Sequence, residues 1–101
     1  MSVVFSPQSQ RDLAHIKSYL EQFNLRRAET FVNEVVAACQ AIGDMPLAWP
    51  LVPRYEQTGF RRRPYKNYLI FYELIAPEQT VAILHIFHAA RDYERLLFPS
   101  D

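Results

Sequence analysis

The sequence predicts an α+β domain in the order β-α-α-β-β-β, with an antiparallel sheet and an α-helical hairpin packed on one of its faces. Two pairs of segments lead to this prediction. Runs of aromatic and branched aliphatic residues at 67–75 and 80–87 are separated by a short break that contains Pro77, which is typical of a β-hairpin. Upstream, the stretches 7–23 and 25–42 have apolar residues at helical spacing and are separated by Asn24 alone, which predicts an antiparallel helical hairpin.

Composition indicates one globular domain over residues 1–101. Half of the 101 residues are hydrophobic, and 11 basic residues balance 11 acidic ones, so no overall positive charge favours non-specific binding of nucleic acid. We find no signal-peptide pattern and no apolar stretch near the ~18 residues of a membrane span. The single Cys39 lies in an apolar helical pattern, as an inert thiol in a reducing compartment would. We therefore expect a cytoplasmic protein without membrane association.

The N-terminal half supplies a strand and the two helices. The β-prone run at 3–5 predicts an edge strand, and Ser6 followed by Pro7 has the pattern of a helix N-cap and first turn. Gly43 is placed to end the second helix. The apolar stripes of the helices and strands predict a shared core that includes Leu13, Leu20, Phe31, Val35, Ile70 and Ile83.

The C-terminal half supplies the remaining strands. Three prolines in 44–57 predict an irregular loop, and the next strand begins at Gly59. Because side chains alternate along a strand, Arg61 and Arg63 should share one face and Arg62 should point away. Residues 89–97 predict a final helical turn. Alternation in the last strand assigns one face to Val81, Ile83, His85 and Phe87 and the other to Ala82, Leu84 and Ile86.

The order of several short stretches along the chain is more informative than any one of these stretches alone. They are DLAHIKSYL at 12–20, AETFVNEV at 28–35, PLAWP at 46–50, GFRRRP at 59–64, YKNYLIFYEL at 65–74 and VAILHIFHAARD at 81–92, followed by Leu96 and Leu97. Over almost the full length, the sequence resembles the RelE/ParE superfamily of toxins from bacterial type II toxin–antitoxin systems. The ending HAARD followed by two leucines is most similar to the ParE branch.

The resemblance implies a function. A ParE-like toxin inhibits DNA gyrase by protein–protein contact and is neutralised by a cognate ParD-like antitoxin. It needs no catalytic residue, metal or cofactor, and no direct sequence-specific binding of nucleic acid is expected. The first alternative is a RelE-like enzyme, a metal-independent endoribonuclease that cuts mRNA on the ribosome. The second alternative is a non-toxic member that only binds the antitoxin and represses with it.

The endoribonuclease alternative has its own candidate residues. Metal-independent RNA cleavage needs a group that activates the 2′-hydroxyl, cations for the charged transition state and an acid for the leaving oxygen. Under that alternative, the residues that supply these groups are Arg61, Arg63, His88, Arg91 and Tyr93. His85 and His88 are three apart on a strand and therefore face opposite ways, so we expect no metal site.

The sheet face away from the helices is the candidate partner surface. The helical hairpin covers one face only, yet both strands of the β-hairpin have apolar residues on both faces. We therefore expect an antitoxin or target to cover the second face; the alternative is that residues 50–57 fold over it. The predicted partner-binding residues are Arg61, Arg63, Leu69, Phe71, Leu84, Ile86, Leu96, Leu97 and Phe98.

Overall fold

A computed structural model describes residues 1–77 and 79–99; Glu78, which belongs to the predicted hairpin connection, lies outside the described residues. The elements follow the predicted order and include the predicted final helical turn, and a 3-10 turn is added. They are β1 (Ser2–Phe5), α1 (Pro7–Glu21), α2 (Leu25–Ala41), a 3-10 turn (Glu56–Thr58), β2 (Arg61–Tyr65), β3 (Tyr68–Ile75), β4 (Thr80–His88) and α3 (Tyr93–Leu97). The predicted caps are present, since the side chains of Ser6 and Asn24 accept hydrogen bonds from the backbone N–H of Ser9 and Arg27.

The strands form one sheet in the order β1-β4-β3-β2. β2, β3 and β4 are antiparallel neighbours, whereas β1 pairs in parallel with β4, from Ser2 opposite Thr80 to Phe5 opposite Ile83. The sheet is therefore mixed and not wholly antiparallel as expected. A parallel pair needs a long connection between its strands, and the segment from α1 to β3 supplies it here.

A bulge in β4 corrects the predicted alternation. Phe71 pairs with His85, but its neighbour Tyr72 pairs with Ile83, so Leu84 is an extra residue in the ladder. Beyond the bulge the faces exchange. Ile86 therefore packs in the same core as Ile83, and the prediction that Ile86 shares a face with Leu84 was wrong.

Helix α1 continues the edge of β4 beyond the end of β1. The Ser6 backbone N–H donates to the Ile83 carbonyl at 3.0 Å, and the Ser6 hydroxyl donates to the Leu84 carbonyl at 2.8 Å. Six residues further along the chain, Asp12 Oδ2 accepts from the Ile86 N–H at 2.9 Å and lies 3.0 Å from His85 Nδ1. Polar groups of the helix thus satisfy backbone groups that would otherwise lack a strand partner.

The first face of the sheet packs against α1 and α2, as predicted. Phe31, Val35, Ile70 and Ile83 are buried there. Leu13 and Leu20 are partly buried and pack against the same cluster, together with Trp49 from the proline-rich loop. We call this cluster the helix-side core.

The second face of the sheet is covered by the chain itself. Val52 and Tyr55 from the proline-rich loop pack over Leu69, Phe71 and Phe87. Tyr93, Leu97 and Phe98 from α3 and the residue after it complete this second cluster. Residues 50–57 fold over this face, as the alternative had it, and α3 shares the task, so no partner is needed to cover it; partner binding at this face stays a prediction.

Among the described residues, no helix has both the length and the apolar character needed to cross a membrane.

Phe31→Ala tests the packing of the helix-side core. Phe31 is 7% exposed, so we expect the substitution to lower the free energy of unfolding by about 3–5 kcal/mol. Leu25→Ala on the same helix is the control. Leu25 is 69% exposed, so this substitution should lower the free energy of unfolding by less than about 0.5 kcal/mol. Urea denaturation measures both variants, and a loss below about 1 kcal/mol for Phe31→Ala would contradict the helix register.

Candidate functional site

Arg61 and Arg63 share one face of β2, as predicted, but it is the helix-side face and not the expected partner face, and both are used for internal contacts. The Arg61 guanidinium donates to the Trp49 carbonyl at 2.7 Å. Arg63 donates to the Ala38 carbonyl in the last turns of α2, and its guanidinium carbon lies 4.4 Å from the centre of the Trp49 ring. A cation at a helix C-terminus is stabilised by the helix dipole, so Arg63 serves to fasten α2 to the sheet.

Arg62 and Tyr93 meet on the opposite face. Arg62 Nη1 donates to the Tyr93 hydroxyl at 2.9 Å, which ties α3 to β2. Glu94 strengthens the same attachment by accepting hydrogen bonds from Arg54 and from the Tyr55 hydroxyl. The bond to Glu94 raises the pKa of Tyr55 above its usual value, because it stabilises the protonated phenol.

His88 and Arg91 lie at a third place, where β4 ends. His88 Nδ1 accepts from the Ala90 N–H at 3.0 Å, and its ring packs edge-on against Tyr68. The guanidinium of Arg91 lies 5.3 Å from the centre of the Phe87 ring. The five candidate nuclease residues therefore lie at three places: Arg61 and Arg63 beside Trp49, Tyr93 on the opposite face of the sheet, and His88 with Arg91 at the end of β4.

The predicted partner-binding residues also separate by burial. Leu69, Phe71 and Ile86 are buried within the chain, at 9%, 0% and 2% exposed, and offer almost no surface to a partner in this conformation. Leu84, Leu97 and Phe98 are half-buried in the second cluster. Leu96 is 45% exposed, which makes it the most exposed apolar residue of the set.

An open groove of about 800 Å³ runs between the helical hairpin and the ends of β3 and β4. Its lining combines basic, aromatic and histidine side chains, and we call it the hairpin groove. The residues that line it are Asp12, His15, Tyr19, Leu20, Arg27, Phe31, Lys66, Asn67, Tyr68, Ile86, Phe87, His88 and Arg91. Burial raises the pKa of the Tyr68 phenol, so this hydroxyl stays neutral at physiological pH.

Lys66 has an unusual backbone in the groove. It begins the two-residue turn between β2 and β3 with φ of 51°, a region that favours glycine. Its ammonium lies 3.0 Å from Glu34 Oε2 on α2, and Arg27 contacts the other carboxylate oxygen at 3.3 Å. The hydrogen bond from Lys66 lowers the pKa of the Glu34 carboxyl, which remains ionised. Sequence reasoning missed Lys66 because it read Asn67 as part of a strand; the turn-forming Lys-Asn pair between Tyr65 and Tyr68 was the available signal.

Other reactive groups are accounted for within the described part of the chain. No group of three or more His, Cys, Asp or Glu side chains converges there as a metal site would require. Cys39 is fully buried, and burial raises the pKa of its thiol to about 12. A thiol with that pKa is almost entirely protonated at neutral pH, which argues against a nucleophilic role.

The mixed four-stranded sheet with a helical hairpin on one face is an α+β fold that several solved structures share. It is similar to the "Chromosomal ParDE TA system from P. aeruginosa", with a TM-score of 0.73 and 16% identity over 87% of this chain and 95% of that one. It is also similar to the RelBE2 toxin–antitoxin complex from Mycobacterium tuberculosis, with a TM-score of 0.62 and 23% identity over 86% and 95% of the two chains. The YoeB/ParE toxin from Agrobacterium tumefaciens has a TM-score of 0.53 and 14% identity over 87% and 98%.

The sequence itself defines the family more narrowly. Residues 3–93 match the family described as the ParE toxin of type II toxin-antitoxin system, parDE. The chain therefore belongs to the ParE toxin family. Among curated proteins, none matches the sequence significantly.

The strain at Lys66 is testable with two variants that both remove its ammonium. Lys66→Gly removes the Cβ atom that makes the positive φ costly, whereas Lys66→Ala keeps that atom. We expect the glycine variant to be more stable than the alanine variant by about 1 kcal/mol in urea denaturation. Equal stabilities, or the reverse order, would show that the turn is not strained.

Proposed function

We propose that this chain is a toxin that inhibits DNA gyrase by protein–protein contact in the bacterial cytoplasm and is neutralised by a cognate antitoxin. The observation that carries the proposal is the separation of the candidate nuclease residues. Arg61 and Arg63 hold backbone carbonyls on one face of the sheet, Tyr93 contacts Arg62 on the other, and His88 and Arg91 lie at the strand end. Side chains placed in this way do not converge on one phosphodiester bond, which supports inhibition by contact over cleavage by these residues.

Charge and family membership support the same proposal. The chain has no net charge, which is unfavourable for an enzyme that must bind mRNA on the phosphate-rich ribosome. The family description concerns ParE toxins, and inhibition of gyrase is the activity that the resemblance to the ParE branch implies. A contact inhibitor needs exposed surface but no converging catalytic groups.

The C-terminal segment is the surface that we propose for the gyrase contact. Leu96 is 45% exposed on α3, beside a shallow hollow lined by Gln8, Phe60 and Leu84. Exposed apolar residues beside a hollow are typical of contact surfaces. Leu97 and Phe98, in contrast, hold α3 against the second cluster and would contribute indirectly.

A RelE-like mRNA endonuclease is the second candidate function. One observation favours it: His15, Lys66, His88 and Arg91 line the same groove, and histidines beside cations are suited to acid–base cleavage of RNA. These residues differ from the set that the sequence suggested, since only His88 and Arg91 belong to both.

Purified components test the proposal. We expect the chain to inhibit supercoiling by gyrase and to leave ribosome-bound mRNA intact. Tyr93→Phe loses one hydrogen bond to Arg62 but keeps the ring, so inhibition should change by less than about twofold. Leu96→Asp should weaken inhibition by about tenfold if α3 contacts gyrase. Leu47→Asp is its matched control, because Leu47 is 67% exposed in the proline-rich loop.

The opposite pattern would support the nuclease. Cleavage of ribosome-bound message that His88→Ala abolishes, with no effect on supercoiling, would contradict gyrase inhibition. Arg63→Ala cannot discriminate between the two functions, because it removes a contact that fastens α2 and would lower stability in either case. Antitoxin binding without either activity would instead indicate the non-toxic member.

A further inference from the structure

The two edges of the sheet differ in how they are protected. The strand order β1-β4-β3-β2 places β1 at one edge and β2 at the other. The outer edge of β2 is covered, because the segment 50–52 pairs with it and Leu51 bridges to Arg61. Among residues 1–77 and 79–99, in contrast, β4 is the only strand that pairs with β1. The outer edge of β1 is therefore available to a further strand.

The backbone groups of Val3 lie at the centre of this open edge. Amide groups alternate in direction along a strand, and the Ser6 N–H donates to the Ile83 carbonyl of β4 at 3.0 Å, so the odd-numbered residues of β1 point outward. The side-chain amide of Gln10 occupies one outward group by donating to the Phe5 carbonyl at 3.1 Å. The N–H and the carbonyl of Val3 remain for another strand.

The second face of the sheet is uncovered beside the same edge. The second cluster contains side chains of β3 and β4, of the proline-rich loop and of α3, but none of β1. Val4 points to this side, because its neighbours Val3 and Phe5 pack against the helix-side core, and Val4 is 49% exposed. Natural monomers usually protect an open edge with charged side chains or proline, and β1 has neither.

The composition of the edge suits an identical copy. β1 has the sequence SVVF, and the residues of β4 that pair with it, 80–83, have the sequence TVAI. Across a two-fold axis a strand meets itself, so a charged side chain there would face a like charge. These strands contain no charge, and the whole chain has no net charge, so two copies can approach without repulsion.

We propose that a second copy of this chain binds at β1, and that the two four-stranded sheets join through antiparallel pairing of their β1 strands around a two-fold axis. In the register centred on Val3, the Val3 N–H of each copy donates to the Val3 carbonyl of the other. Val4 then lies diagonally across from Val4 of the second copy. The assembly closes as a dimer, because the covered edge of β2 adds no further strand.

The dimer should be weak. β1 has four residues, so the pairing is short, and we expect a dissociation constant of roughly 1–100 µM. Dimerisation of this kind goes beyond the proposed function and depends on neither gyrase nor an antitoxin.

Sedimentation velocity of the purified chain over a concentration series tests the dimer. We expect Val4→Lys to raise the dissociation constant by about tenfold or more, because it places two ammonium groups beside the two-fold axis. Leu25→Lys is the matched control, with an expected change of less than about twofold. Leu25 is 69% exposed at the start of α2, whereas Gly43, beyond the other end of that helix, lies beside Val3.

A charge exchange tests whether the partner is a second copy. Val4→Lys and Val4→Glu should each be monomeric alone, and an equimolar mixture should restore the dimer to within about threefold of the original dissociation constant. Val4 is half exposed, so both variants should fold, which urea denaturation verifies. The unaltered chain gives a measure that needs no variant, since the Val3 amide should exchange more slowly as the chain concentration rises.

Several results would overturn the proposal. They are a chain that stays monomeric at about 200 µM, a dimer that neither Val4 variant weakens, and a series of species larger than a dimer. A monomeric chain whose Val3 amide is protected only after the antitoxin is added would assign the edge to a strand of that partner instead.

Discussion

The fold depends on covering both faces of the β3–β4 hairpin. Ile70 and Ile83 face one side and Phe71 and Phe87 face the other, so each face would expose a large apolar area if it were left open. The two covers differ in kind. Helices α1 and α2 cover the first face with regular apolar stripes, whereas the proline-rich loop and α3 cover the second. The second cover also protects the edge of β2, because the Val52 N–H donates to the Phe60 carbonyl at 2.9 Å and the Arg62 N–H to the Pro50 carbonyl at 3.1 Å.

This arrangement determines which cations remain available for function. The arginines of β2 join the two covers to the sheet, Arg63 through α2 and Arg62 through Tyr93 of α3. A run of three arginines that resembles a nucleic-acid site in sequence is thus largely structural. Lys66 and Arg91, in contrast, are exposed; they come from a turn and from the residues after β4, and both line the hairpin groove. The arginines that hold the fold together and the cations of the groove are therefore different residues.

Regular features of the fold could be predicted from the sequence, and features that depend on distant contacts could not. The stripe of Phe31 and Val35 and the cap at Ser6 are local patterns, so the helices could be predicted from the sequence alone. The bulge at Leu84 has no local signal, because TVAILHIFH is apolar on both faces in either register. The cover over Phe71 and the groove at Lys66 arise from residues far apart in sequence. The candidate site was therefore predicted only in part, with Arg91 and His88 placed in the groove and Arg61 and Arg63 outside it.

The central claim is that the chain itself covers both faces of the β3–β4 hairpin, with α3 held over the second face by the hydrogen bond between Arg62 and Tyr93. Amide hydrogen exchange, compared between the unaltered chain and its Arg62→Ala variant, tests that claim directly. The account predicts faster exchange at residues 93–98 in the variant, because α3 loses its hydrogen bond to β2, and unchanged exchange at 12–20 on the other face. Equal exchange at 93–98 in the two proteins would contradict the account.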